Sequence, residues 1–267
     1  MRVEPQIFRG PDEVGQAAAA LIADGIAASA ARGHAFVLGC PSGRSGQSTY
    51  RALARLIAGR DLDLSRLVIA LMDEYVEPAG GGYRTIPDVL PHSCVGFGRR
   101  EIVTVLNEAA SDGRRMPDAN LWWPNPEDPA AYDGRLAAAG GIDVFLLASG
   151  ASDGHVALNP VGASPDSRSR VVRLEDSTRN DNLLTFPTLI RLDAVPRFGV
   201  TVGIATIREQ SKSVIMLALG SGKAEAVRRL GRASNYDAGW PATVLADCRN
   251  SHFFVDQDAA ALLPDLA

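Results

Sequence analysis

A chain of 267 residues with 46% hydrophobic and 22% charged residues has ordinary globular composition, which excludes a disordered, fibrous or disulfide-stapled chain. The formal net charge is -4, and Lys and Arg are scattered rather than clustered against aromatics, so nothing supports a nucleic-acid surface. A mildly acidic protein can still bind an anionic small molecule through a local site.

In chain order, the first expected element is a helix from Pro11 to Arg32, because PDEVGQAAAALIADGIAASAAR opens with Pro and acids, turns Ala-rich and stops at Gly33. HAFVLG (34–39) has the length and apolarity of a short buried strand, and CPSGRSG leads from it through a Gly/Ser loop into a second helix. LVIALM (67–72) is another such strand and runs directly into DEY. Residues 78–91 read as a Gly/Pro-rich loop, Arg99 to Ala110 as a helix, and 116–129 as a long Pro-rich irregular stretch before a helix ending at Ala139. IDVFLLAS (142–149) is the strongest central strand. VIMLAL (214–219) repeats the pattern and leads into GSGKAEAVRRL, and HFFVD (252–256) is the last strand, followed by a short Ala/Leu helix. Apolar strands separated by helices predict one α/β domain over 1–267, a modified Rossmann-like, mostly parallel open sheet with helices on both faces. The irregular segments at 78–98 and 117–129 read as loops around a site rather than domain boundaries.

Ligand sites in open α/β sheets form at the C-terminal ends of strands, and four exits carry candidate chemistry. In CPSGRSG, Ser42, Gly43, Arg44 and Ser45 suit anionic oxygens beside a helix N-terminus, although the spacing matches neither a P-loop nor a dinucleotide fingerprint and a plain solvent loop competes. In DEY, Asp73 ends a buried strand, where an unpaired carboxylate is costly. It suits a general base, with Glu74 facing a polar network, and the competing reading is that either acid caps the next turn. In IDVFLLASGASDGHVALNP, Asp153 and His155 follow the central strand, with Gly150 and Gly154 permitting unusual turns. His155 suits proton transfer near neutral pH, and Asp153 either acts on substrate or orients the imidazole if the loop folds back. In GSGKAEAVRRL, Lys223 falls in a first helical turn, where an anionic ligand would offset its unfavourable position on the helix dipole.

No metal site is expected, because His34, His92 and His252 lack ligand-like company. Cys40, Cys94 and Cys248 fit neither a metal spacing nor a disulfide framework, which favours a reducing compartment. The N-terminus has no apolar signal core, and the apolar stretches are interrupted before the ~20 residues that span a bilayer. The expectation is a cytoplasmic protein without membrane or nucleic-acid partners. Trp122, Trp123 and Trp240 fit a pocket cover, a homo-oligomer interface or core packing equally.

Together the PSG loop followed by TYRAL, LMDEYV, DGHVALNP, VPRFGVTVGIATI and LALGSGKAEAVRRL resemble the glucosamine-6-phosphate deaminase/isomerase family, within the group that includes 6-phosphogluconolactonases. The resemblance implies a phosphorylated sugar as substrate and no redox cofactor. It implies proton abstraction from a substrate carbon by Asp73, and acid–base work with ring opening by Asp153 and His155. It also implies phosphate binding by Ser42 through Ser45 and Lys223. Two departures stand out. The family's Glu after the Asn of the third motif is absent, since Asn159 is followed directly by Pro160, and Glu175 is too distant to replace it. The family's phosphate-binding Arg falls near Leu184, leaving Arg44 or Arg179 as substitutes. Isomerisation or deamination of a phosphorylated amino sugar is the leading expectation. Lactone hydrolysis and non-catalytic sugar-phosphate sensing are the alternatives, although Tyr75, where lactonases commonly carry Arg, favours the deaminase side.

Overall fold

The N-terminal strand β1 (Pro5–Phe8) precedes α1 (Pro11–Ala31), after which β2 (Phe36–Cys40), α2 (Gln47–Arg60) and β3 (Leu67–Leu71) follow the predicted order. The computed structural model describes residues 2–186 and 188–263, except for the side chains of Leu184 and Thr185. β3 does not end in a loop. One residue later the chain enters β4 (Asp73–Ala79), which turns at Gly80 and Gly81 (φ 57° and 87°) into β5 (Gly82–Thr85). Two successive positive φ values suit a tight hairpin turn, and glycine adopts them without steric cost. Much of the expected loop over 78–91 is therefore hairpin.

The expected helix from Arg99 begins earlier, with α3 (Cys94–Phe97) continuing through a π turn at Gly98–Val103 into α4 (Thr104–Ala109). Next come β6 (Leu121–Trp122), α5 (Pro129–Ala138) and β7 (Val144–Ala148). Four elements follow that the sequence reading did not separate: β8 (Arg170–Arg173), α6 (Asp176–Thr185), β9 (Phe198–Thr201) and α7 (Ile204–Gln210). The chain ends with β10 (Val214–Ala218), α8 (Ala224–Leu230) and β11 (Ser251–Asp256). Residues 257–262 form turns instead of the expected helix. There the Asp256 carboxylate accepts from the Ala259 amide, bending the chain at the strand end.

The main sheet has the order β1-β11-β10-β7-β2-β3-β6, and its described pairs are parallel. Adjacent residues on its central strands point to opposite faces and enter different cores. Leu38, Ile69, Leu146 and Ile215 pack with α1, α2 and α4. Val37, Val68, Phe145 and Met216 pack on the other face with Leu136 of α5, Ile207 of α7 and Val227 of α8. Burial on both faces explains why these strands read as continuous apolar runs rather than alternating ones.

A second, antiparallel sheet was not anticipated. Its order is β5-β4-β9-β8, and it has a small core of its own that includes Tyr75, Leu158, Val172 and Phe186. Met72 bridges the two sheets. Its side chain packs in the main core while its carbonyl accepts from the Val202 amide beyond β9 at 2.9 Å. α1 ends one residue short of the expected Arg32 but is more apolar than the sequence reading allowed: its 21 residues, with mean hydropathy 1.4, are enough by length and composition to cross a membrane. Its stripe of Val14, Ala18, Ala19, Ile22 and Ile26 is instead buried in the core shared with α2, as in an amphipathic core helix.

Candidate active site

The chain order reverses between β2 and β7: β2, β3 and β6 run one way across the sheet, and β7, β10 and β11 the other. Such a switch point opens a crevice at the C-terminal strand ends. A cavity of about 420 Å³ lies there, closed on one side by the second sheet and by α6. Ser42, Gly43, Arg44 and Ser45 reach its wall from the exit of β2, Asp73 from the start of β4, His155 from the loop after β7, and Lys223 from the turn before α8. Seven of the eight residues singled out in the sequence thus share one cavity. Asp153 lies behind His155 and does not line it.

DEY divides its two acids between two tasks. Glu74 is fully buried at the N-terminus of α3. Its carboxylate accepts from the amides of Tyr75 (2.7 Å), Cys94 (3.0 Å) and Val95 (2.8 Å) and from the Ser93 hydroxyl (2.7 Å), satisfying donors that a helix start leaves open. Burial raises its pKa, and these hydrogen bonds offset part of the rise. Asp73 instead faces the cavity with 6% exposure. Burial pushes its pKa up to about 7 and the charge of Glu74 adds to this, while hydrogen bonds from Cys94 and Ser42 and the charge of His155 oppose it. A carboxyl poised near neutrality can both take and return a proton. The Ser42 hydroxyl in turn donates to the Cys94 sulfur at 2.9 Å. Cys94, read only as a sparse thiol in the sequence, is therefore a wall residue beside the candidate base.

The loop after β7 folds back, as one of the two sequence readings required. His155 Nδ1 lies 2.7 Å from Asp153 Oδ1, and the His155 amide donates to the same oxygen at 3.0 Å. The other carboxylate oxygen accepts from Ser177 (2.6 Å) and Thr178 (2.8 Å) of α6. Burial acts to raise the Asp153 pKa, but the hydrogen bonds and charge of His155, with Ser177, outweigh it and hold the group well below the usual carboxylate range. An ionised acceptor assigns the proton to Nδ1 and leaves Nε2 for the cavity. Asp153 is thus placed to orient the imidazole rather than to meet a ligand. Gly150 makes the fold-back feasible, since a Cβ there would lie 2.2 Å from His155 Nδ1. Asn159, where the resemblance led to an expected Asn–Glu pair, is buried and structural. It donates to the carbonyls of Val156 (3.0 Å) and Val202 (2.8 Å) and accepts from Arg170 (3.0 Å).

Lys223 and Arg44 supply the positive wall. The Lys223 ammonium donates to the Ser149 carbonyl at 2.6 Å. Burial lowers its pKa, Asp181 and Asp153 counteract this, and Arg44 adds to the lowering. Arg179, the other arginine proposed from sequence, faces elsewhere: it binds Asp176 (2.6 Å) and the carbonyls of Leu192 (2.5 Å) and Val195 (3.1 Å). The side chain of Leu184 lies outside the described residues. Trp240 is core behind the loop, packed near Gly154 with Arg229 over its ring at 4.5 Å. Asp181 of α6 was missed by the sequence reading because α6 was not recognised as an element. It lines the cavity, and one ligand atom from each of Asp153, His155 and Asp181 lies within 4.8 Å of the others.

Residues 9–254 match the family described as glucosamine-6-phosphate isomerases/6-phosphogluconolactonase. Over 262 residues the chain is 34% identical to a glucosamine-6-phosphate deaminase of Rhodococcus jostii (strain RHA1), covering 98% of this chain and 93% of the relative. Over 253 residues it is 35% identical to a glucosamine-6-phosphate deaminase of Beutenbergia cavernae, covering 92% and 88%. Among solved structures, a monomeric glucosamine-6-phosphate deaminase superposes with TM-score 0.78 and 29% identity, covering 97% of this chain and all of that one (100%). A 6-phosphogluconolactonase from Leishmania guyanensis, at TM-score 0.70, 17% identity and 99% and 100% coverage, shares the fold.

Proposed function

The chain belongs to the glucosamine-6-phosphate isomerase/6-phosphogluconolactonase family, and from that premise we propose how its own residues carry out isomerisation or deamination of a phosphorylated amino sugar. The observation that carries the reading is that Asp73, held near neutrality, shares one cavity with an imidazole oriented by Asp153 and with a wall bearing Lys223 and Arg44. The phosphate binds to Lys223, Arg44 and the Ser42–Ser45 loop, charge-assisted in a partly desolvated site. His155 Nε2 exchanges the ring-opening proton. Asp73 removes the proton from C2 of the open-chain aldose and returns it to C1. With an amine on C2 this yields a ketimine, and water then adds its oxygen to C2 as ammonia leaves, giving the ketose phosphate.

The test is incubation with glucosamine 6-phosphate and galactosamine 6-phosphate while ammonia and ketose phosphate are measured. Both products are expected in equal amounts. Asp73→Asn and His155→Gln should each lower kcat by roughly 10²–10⁴-fold, the range for a lost acid–base group, with the fold retained by circular dichroism. No product from either substrate at high enzyme concentration removes the reading. Acid release from 6-phosphogluconolactone above its spontaneous rate, without ketose formation, would replace it with lactone hydrolysis.

A further inference from the structure

We propose that Asp181 is a positioning residue for His155, supplying from α6 the second carboxylate that the histidine's own segment lacks. The role rests on the acid–base reading above. Along the segment after His155 no carboxylate is available, because Asn159 runs directly into Pro160, and the Asn159 side chain is engaged in holding the loop to Val202 and to Arg170 of β8. Asp181 approaches the imidazole from another element. It lines the cavity, and one of its oxygens lies within 4.8 Å of both the His155 and the Asp153 ligand atoms.

Its contacts fix that position. Asp181 Oδ2 accepts from the Ala151 amide at 3.0 Å and from the Ser152 hydroxyl at 3.2 Å, which ties α6 to the loop that carries Asp153 and His155. Asp153 orients Nδ1, so a proton arriving at Nε2 creates an imidazolium hydrogen-bonded to one carboxylate, with a second from α6 placing an oxygen within 4.8 Å of a ring nitrogen. The charged groups facing this ring are Asp153 from its own loop, Asp73 from β4 and Asp181 from α6, with Lys223 and Arg44 from two other strand exits. The charges of Asp181 and Asp153 also act on the Lys223 ammonium, so the carboxylates and the cationic side chains share one cavity.

The same three side chains could in principle coordinate a metal ion. Two features disfavour this: Nδ1 and Oδ1 already share a 2.7 Å hydrogen bond, and two cationic side chains line the same wall. Proton handling by the ring is the better fit to the chemistry of the donors.

The test compares wild-type protein with Asp181→Asn, Asp181→Ala and Asp181→Glu. Asn keeps an acceptor for the Ala151 amide and removes only the charge. Diethyl pyrocarbonate acylates neutral imidazole, so at pH 6 modification of His155, followed by peptide mass spectrometry, should be severalfold faster in Asp181→Asn and return towards wild type in Asp181→Glu. In the ketose assay, Asp181→Asn should lose about tenfold or more in kcat with KM within about threefold, a solvent-screened fraction of the full interaction of a close charge pair at an effective dielectric of ~20. Equal modification rates in wild type and Asp181→Asn would overturn the proposal, leaving Asp181 as a loop anchor. A raised KM with unchanged kcat would overturn it in favour of direct substrate contact. Activity that is abolished by a chelator and restored by Mg²⁺ or Zn²⁺ alone would overturn it in favour of a metal site. If wild-type protein forms no product but the modification rates still differ, the reaction reading fails while the charge coupling of Asp181 to His155 stands.

Discussion

Asp73 illustrates how one buried group ties chemistry to stability. Its pKa is raised to about 7, chiefly by burial, so the folded protein holds this proton more tightly than the unfolded chain does. Its stabilising contribution is fully present below the ordinary carboxylate pKa and is lost as pH rises through about 7. Asp73→Asn should therefore unfold at a higher temperature than wild type at pH 8, and at the same temperature near pH 3.5, in thermal melts at the two pH values. The proposed reaction needs the ionised form, so kcat should rise with pH through about 7. Cys94→Ala removes a hydrogen bond that lowers this pKa, and the midpoint of the pH–rate profile should move upward. A midpoint unchanged in Cys94→Ala would show that the thiol does not tune the base. At this scale Asp73, His155, Lys223 and Arg44 were legible because polar residues directly after apolar strands have few structural reasons to be there. Asp153 was legible as a candidate but not in its role. Contact between residues two apart depends on the turn that Gly150 permits, which residue types alone do not specify.

Among the elements, α3 shows what a buried acid does for a helix. Glu74 gathers three donors at its N-terminus, from Ser93, Cys94 and Val95, and a fourth from the Tyr75 amide of β4, and Glu74→Ala leaves them without an acceptor. The expected loss is about 2–4 kcal/mol in urea unfolding, the scale for orphaned buried donors and a lost cap. A change below ~0.5 kcal/mol would mean that water replaces the carboxylate. The strands of the main sheet were legible because burial on both faces makes them short apolar runs bounded by turn residues. β4 was not. DEYVEPA carries acids and a proline, which are poor strand formers, and it becomes a strand through pairing with β5 and β9. α6 was missed for a related reason: DSTRNDNLLT is polar and weak in helix propensity, so its helical state rests on tertiary support. Asp181 was hidden with it.

For the molecule as a whole, the cavity is a seam. The main sheet contributes Arg44, His155 and Lys223, while Asp73 and Tyr75 enter from the second sheet. We propose that the two sheets unfold as one cooperative unit. A bound sugar phosphate at a hundredfold excess over its Kd should stabilise the protein by about 2.7 kcal/mol, with tryptophan fluorescence and far-UV circular dichroism shifting together. Two separated transitions, only one of them ligand-dependent, would refute a single unit. The sequence by itself determined the parallel α/β character, the strand exits that carry Asp73, His155 and Lys223, and the membership implied by their order, since each of these is encoded locally in apolar runs and the residues that end them. Only the tertiary structure decided the second sheet, the retreat of Asp153 behind His155, the diversion of Arg179 away from the cavity and the arrival of Asp181. The physical reason is that these depend on which distant segments meet at the β2/β7 reversal, and a pairing set by packing across the fold leaves no periodic signal in either segment.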